Sequence, residues 1–171
     1  MAIIIGNKLH SLGQWLTKKR DNQRIMKLAE LFFFSLPTLF LLYHYLMAVL
    51  SEQDFFHLLV SNPRYTIQFM TYASYYFVSL LFRLLGQLVN KPQESSLVKV
   101  VLLLTLVSQL LSLNLVVTAV VLMVSRQLFQ REMLRINIPD VFASQQKVLL
   151  VLASCLLLVS GLLALMTAVL S

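Results

Sequence analysis

The sequence predicts an all-α polytopic membrane protein, in which a transmembrane bundle of four spanning helices follows a basic amphipathic N-terminal helix. Hydrophobic residues make up 58% of the 171 residues and charged residues only 12%. A soluble domain is about 45–50% apolar and about 25% charged. The chain also contains four apolar segments of about 20 residues or more, the length that a helix needs to cross about 30 Å of hydrocarbon.

The four apolar segments are residues 31–50, 65–89, 97–124 and 148–170. All seven Asp and Glu residues lie outside them or at their edges. This placement is expected because a charge at the centre of a bilayer costs at least ~2.5 kcal/mol. Pro63, Pro92 and Pro139 fall in the three connections, and proline ends helices. Pro37 lies inside the first segment, where it either kinks the helix or occupies its first turns.

Residues 1–30 form a separate basic segment. Its apolar residues Ile5, Leu9, Leu12 and Leu16 recur at helical spacing, and it carries six Lys and Arg residues. This pattern is typical of an amphipathic helix that lies in the membrane interface. The alternative is a basic topology signal with incidental helicity. The predicted division is therefore a cytoplasmic or interfacial segment over 1–30 and the bundle over 31–171.

The connection between the third and fourth segments is the longest and most basic of the three. Apolar residues continue at helical spacing among Arg126, Arg131 and Arg135. We therefore expect the third helix to extend beyond the bilayer as an amphipathic stalk and to end near Pro139.

The distribution of Lys and Arg predicts the orientation, because cytoplasmic loops are enriched in these residues. With four spans, nine Lys and Arg residues fall on the side of both termini and five on the other side. This count places both termini in the cytoplasm, in a plasma or inner membrane. The connection over 126–147 conflicts with it, because its four cations would lie outside. Either this connection binds a partner or headgroups outside, or the second segment does not fully cross.

Two segments carry polar residues that are candidates for a functional face. On the second segment, a stripe with helical spacing consists of Gln68, Tyr72, Tyr75, Ser79 and Arg83. The third segment adds two amides, Gln109 and Asn114. These seven residues have two interpretations. They either line a polar path or a partner surface, or they form interhelical hydrogen bonds that hold the bundle together.

The fourth segment has a row of small residues at helical spacing, formed by Ser154, Gly161, Ala164 and Ala168. Small residues let helix backbones approach closely in a membrane, where no hydrophobic force drives association. The row predicts a helix-packing seam, either inside the bundle or between two chains.

The sequence lacks the motifs that are typical of an enzyme active site. It has no carboxylate inside a span, no phosphate-binding glycine loop and no His/Cys cluster with metal spacing. His44 stands alone between two tyrosines. We therefore predict no catalytic residue, cofactor, metal or nucleic-acid partner.

The leading hypothesis is a non-enzymatic accessory, regulatory or protective subunit of another membrane protein. Its expected partners are the lipid bilayer and a second membrane protein, or another copy of the chain. The alternative is a small transporter or pore subunit with a polar path on helices two and three. An intramembrane enzyme is the third hypothesis.

Overall fold

The computed structural model describes residues 2–52, 54–57, 62–129, 132–144 and 146–170, with side chains from Asp21 onward. The described residues are helical without any strand, which confirms the predicted all-α class. The longer elements are α1 (Ala2–Leu50), α2 (Pro63–Leu88), α3 (Ser95–Leu111), α4 (Leu115–Phe129), α5 (Ile138–Ala143) and α6 (Lys147–Leu170). A short 3₁₀ turn, Pro92–Glu94, precedes α3.

Three stretches of the described chain are long and apolar enough to cross a membrane, namely Asp21–Leu50, Pro92–Leu111 and Lys147–Leu170. They indicate a membrane protein. With 26 residues α2 is long enough to cross, but it is less apolar than these three stretches. Buried residues make up 56% of the apolar core of the stretch that contains α3, against 22% and 28% in the other two stretches. Helix α3 is therefore the central helix.

Helices α1 and α2 form an antiparallel pair. The Ser79 hydroxyl donates a hydrogen bond of 3.0 Å to the carbonyl oxygen of Glu30. Farther along α1, the His44 ring lies 5.7 Å from the Tyr65 ring, so rising numbers on α1 meet falling numbers on α2. Helix α1 continues through Pro37, and no break separates residues 2–30 from the first apolar segment.

The third apolar segment is not one helix, which corrects the predicted span over 97–124. Residues 112–114 separate α3 from α4, and Leu113 adopts a φ of 53°. The amide of Leu113 donates to the carbonyl of Leu110 at 3.0 Å, and the amide of Asn114 donates to the carbonyl of Gln109 at 3.2 Å. This pair of bonds is a Schellman motif, which ends a helix through a left-handed residue.

The same turn also begins α4. The side-chain oxygen of Asn114 accepts a hydrogen bond of 3.3 Å from the amide of Val117, so Asn114 caps the first turn of α4. One helix end and the next helix start therefore share three residues.

Helix α4 returns alongside α3 instead of continuing its direction. Phe129, the last residue of α4, lies against Lys99 near the start of α3, with the ammonium 5.3 Å from the ring centre. The same ammonium donates to the carbonyl of Arg135 at 3.1 Å, and the amide of Asn137 donates to the Ser96 hydroxyl at 3.3 Å. Helices α3 and α4 thus form a hairpin, and α4 ends at Phe129, within the predicted stalk.

Helix α6 starts beside the base of this hairpin and rises to the opposite end. Near its start, the Ser144 hydroxyl donates to the Glu94 carboxylate at 2.6 Å. Near its end, Thr167 and Leu170 line a cavity together with Arg64 from the first turn of α2. The first and last described residues therefore lie at opposite ends of the molecule.

The molecule has two ends. The end at which α2 stops and α3 begins is called the basic end, and the opposite end is called the Arg64 end. Among the Lys and Arg residues whose position is described, only Arg64 lies at the Arg64 end. The cations at 83–99 and those of the described part of 126–147 lie towards the basic end, as does the cationic part of α1. The described cations of 126–147 share an end of the molecule with those at 83–99, because the break at 112–114 reverses the chain once more.

Candidate functional site

The predicted polar stripe of α2 is divided among three environments: the interior, the contact with α1 and the exposed surface. Tyr75 is 1% exposed, and its hydroxyl accepts a hydrogen bond from the side-chain amide of Asn114. The Tyr72 ring lies edge-on to Tyr75 at 5.5 Å and stacks on Phe40 of α1 at 4.0 Å. Two of the predicted site residues, one from each segment, therefore meet, and their bond joins α2 to the turn of the hairpin.

The rest of the stripe serves other surfaces. Ser79 is 5% exposed and holds α2 to α1 through the carbonyl of Glu30. Arg83 is exposed and borders a groove between α1 and α2, whereas Gln68 is exposed at the Arg64 end. The structure therefore does not bring the seven predicted residues together as one continuous lining.

Three buried polar atoms lack a hydrogen-bond partner among the described residues, and they come from three helices. They are Oε1 of Gln109 on α3, Oγ1 of Thr118 on α4 and Oγ of Ser160 on α6. The other side-chain atom of Gln109, Nε2, donates to the Ser108 hydroxyl at 3.3 Å. Leaving a buried polar group unpaired costs about 1–3 kcal/mol. Ser160 belongs to the buried face of α6, which its spacing of seven residues from Ala153 and four from Leu156 could have indicated.

A cavity of about 400 Å³ lies at the Arg64 end between α2, the hairpin turn and the last turns of α6. Its polar lining comes from Arg64, Gln68, Thr71, Ser112 and Thr167. Ser112 is the first residue of the hairpin turn, so the cavity reaches the helix break.

The groove between α1 and α2 lies towards the basic end. It comprises two adjoining cavities of about 610 and 550 Å³, which share Lys27, Glu30 and Arg83. The larger cavity has a mostly apolar wall and the smaller one a more polar wall with Gln23 and Gln87. Sequence reasoning considered Lys27 and Arg83 separately, because only the register of α1 against α2 places them on one groove.

The base of the hairpin holds charges that sequence reasoning missed. Glu94 is 8% exposed and Lys99 is 7% exposed. Glu94 accepts from Ser144, and Lys99 donates to the backbone of the segment that follows α4. Both residues stand at the edge of an apolar segment.

The small-residue row of α6 borders the buried face of that helix without belonging to it. Ser154, Gly161 and Ala164 are half-buried, and Ala168 is exposed. A Cβ atom built on Gly161 would meet no atom within 4 Å. Close packing within the described chain therefore does not require glycine at this position.

No group of three or more His, Cys, Asp or Glu side chains among the described residues could hold a metal ion. His44 lies among aromatic rings, 4.2 Å from Phe40 and 5.2 Å from Tyr43. Cys155 is a free, exposed thiol on α6.

Comparisons of this chain with models of protein families, with curated proteins and with solved structures found no match.

Proposed function

We propose that this chain is a non-enzymatic integral membrane protein that binds another membrane protein within the bilayer, as an accessory, regulatory or protective subunit. The observation that carries this proposal is the open space at Gly161. Glycine inside a helix costs about 1 kcal/mol relative to alanine, and here no contact within the described chain offsets that cost. A helix of another chain, packed along the row that Gly161 forms with Ala164 and Ala168, would gain the close approach that glycine permits.

In the proposed topology the basic end lies in the cytoplasm. Helices α1, α2 and α6 cross the membrane, and the α3–α4 hairpin enters from the basic end and returns to it. Helices α3 and α4 are about 26 and 23 Å long, so the hairpin traverses most of a hydrocarbon layer of about 30 Å. The concentration of cations at one end supports this orientation. The chain then has a cytoplasmic N-terminal end and its last described residues on the other side.

Site-specific crosslinking in native membranes tests the proposal. A photoreactive residue replaces Ala164 in this row, and a matched control replaces Met166, which is 48% exposed on the side of α6 away from the row. We expect a discrete adduct with a second membrane protein from position 164, and its loss when Gly161→Leu is added. A chain that gives no adduct at position 164, or the same adducts at position 166, contradicts the proposal.

Transport is the second candidate function, and the three unpaired polar atoms favour it. The cavity at the Arg64 end reaches Ser112. Gln109 lies about one helical turn before Ser112, deeper in the bundle on α3. Interrupted helices with free polar groups at membrane depth are a common way to hold a polar substrate or ion. In this role the Tyr75–Asn114 bond would stand beside the path.

Cysteine accessibility separates the two candidates. In a Cys155→Ser background, Gln109→Cys and Ser160→Cys are exposed to a water-soluble thiol reagent, with Leu158→Cys as the lipid-facing control. Reaction at 109 and 160 above the control supports a wet path. Equal inertness at all three positions removes it and leaves binding as the function.

A further inference from the structure

The groove between α1 and α2 has the polarity profile of a phospholipid. Its basic-end cavity is lined by Gln23, Gly86 and Gln87, and its deeper cavity by Leu31, Phe34 and Leu80. Lys27, Glu30 and Arg83 belong to both cavities and mark the border between them. A ligand that fills the groove therefore has a polar end, an anionic group at the border and an apolar tail.

The border lies just inside the hydrocarbon, within side-chain reach of the depth where a lipid phosphate is found. Helix α2 is about 39 Å long, which exceeds a hydrocarbon layer of about 30 Å by roughly 4–5 Å at each end. Arg83 precedes the end of α2 by five residues, or about 8 Å. Lys27 stands at the same level, because the Ser79–Glu30 bond fixes the register and both cations lie about one turn beyond it. Long cationic side chains at this depth reach towards the headgroups.

The charges of the groove select an anion. Lys27 and Arg83 are exposed, and together with Glu30 they give the border a formal charge of one positive unit. A phosphodiester carries one negative charge, and guanidinium and ammonium groups donate strong hydrogen bonds to it. The Glu30 carboxylate can only accept hydrogen bonds, so it complements a headgroup that carries hydroxyl donors.

The apolar part of the groove is a formed surface. Leu31, Phe34 and Leu80 are 67%, 55% and 43% exposed. Tyr76 closes the far end of this wall. Its hydroxyl lies 3.1 Å from the Thr38 hydroxyl, and its ring lies 5.4 Å from that of Phe34 in an edge-on arrangement. These contacts fix the tyrosine between α1 and α2, and they leave a track against which an acyl chain can lie.

We propose that this groove binds one anionic phospholipid with a hydroxylated headgroup. Lys27 and Arg83 hold its phosphate, and one acyl chain lies along Leu31, Phe34 and Leu80. The site lies between α1 and α2, so it does not depend on whether α6 binds a partner protein. It also does not depend on which side of the membrane the basic end faces, because either leaflet can supply the lipid.

Native mass spectrometry of the delipidated full-length chain in detergent tests the proposal. The chain is titrated with phosphatidylglycerol, phosphatidylethanolamine and phosphatidylcholine of matched acyl chains. We expect phosphatidylglycerol to bind first and with one-to-one stoichiometry. Each of Lys27→Gln and Arg83→Gln should weaken this binding about tenfold, the effect of losing one charge-assisted contact. Lys91→Gln is the matched control, because Lys91 is an exposed cation near the same end that does not line the groove.

A second pair of variants tests the acyl track. Leu80→Trp fills the apolar cavity and should reduce phosphatidylglycerol binding, whereas Leu158→Trp on α6 should leave it unchanged. All four positions 27, 83, 80 and 158 are exposed, so the fold should survive, and circular dichroism checks this.

Three results would overturn the proposal. The first is equal affinity for the three lipids, or a preference for phosphatidylethanolamine, whose ammonium would pair with Glu30. The second is a loss in Lys91→Gln as large as that in Lys27→Gln. The third is a protein crosslinked in native membranes to a photoreactive residue at position 31, because a partner helix would then occupy the groove.

Discussion

Replacing Leu113 by glycine should stabilise the protein, although glycine normally weakens a helix. Leu113 has a φ of 53° in the turn between α3 and α4. The left-handed conformation costs a residue with a Cβ about 1–2 kcal/mol, and glycine avoids this cost. Glycine also increases the conformational entropy of the unfolded chain, which reduces the gain in stability by about 0.4–1 kcal/mol. Because the Leu113 side chain is 80% exposed, its removal sacrifices little packing, and a net gain of roughly 0.5–1 kcal/mol is expected.

The matched control is Leu158→Gly. Leu158 is 69% exposed in the interior of α6, so the two variants remove the same kind of outward-facing side chain. In a regular helix the change to glycine costs up to about 1 kcal/mol. Both variants are unfolded by titration with sodium dodecyl sulfate in mixed micelles, followed by circular dichroism and by resistance to protease.

The sign of the difference decides between a broken and a continuous helix. If residues 97–124 formed one helix, Leu113→Gly would destabilise the protein as much as Leu158→Gly does. Equal losses in the two variants would therefore refute the turn at 112–114 and the hairpin that depends on it.

Two other contacts give quantitative expectations. Tyr75→Phe and Asn114→Ser each remove the bond between α2 and the hairpin turn, while serine keeps a capping oxygen for α4. In a double-mutant cycle the two changes should therefore couple by about 0.6–1.7 kcal/mol, and strict additivity would contradict the bond. Ser144→Ala removes the hydroxyl that donates to the buried Glu94 carboxylate. It should cost about 1–3 kcal/mol and speed proteolysis within 132–144, whereas an unchanged cleavage rate would show that this bond does not hold the segment.

The fold class could be predicted because it depends on local features that the sequence displays directly. The apolar lengths, the excluded acids and the prolines in the connections all follow from the energetics of burying backbone and charge in lipid. The turn at 112–114 could not be predicted in the same way. It lies inside an apolar run and uses leucine at a position where glycine is usual, so no helix-ending residue marks it. Two indirect signals were present: Asn114 is of a residue type preferred at a helix N-cap, and cations are in excess in the connection that follows.

The candidate site residues were recognised individually, but not their neighbours. Tyr75 and Asn114 were both named from the sequence, yet their contact requires the hairpin to bring residue 114 back towards the middle of α2. In the sequence, Lys27 belongs to the basic segment over 1–30 and Arg83 to the polar stripe of the second segment. That they border one groove follows from the register of two helices, which is a tertiary property set by packing around Phe33, Ser79 and Phe82.

The most direct test of the hairpin is the side of the membrane on which residue 132 lies. Single cysteines replace Asp21, Asp54 and Glu132 in a Cys155→Ser background, and sealed vesicles of known orientation receive a membrane-impermeant maleimide. The structure places Glu132 after α4, at the basic end with the start of the first span, whereas Asp54 lies beyond the other end of α1. We expect Glu132→Cys to react from the same side as Asp21→Cys and from the side opposite to Asp54→Cys. Reaction of Glu132→Cys together with Asp54→Cys would contradict the hairpin and restore a single spanning helix over 97–124.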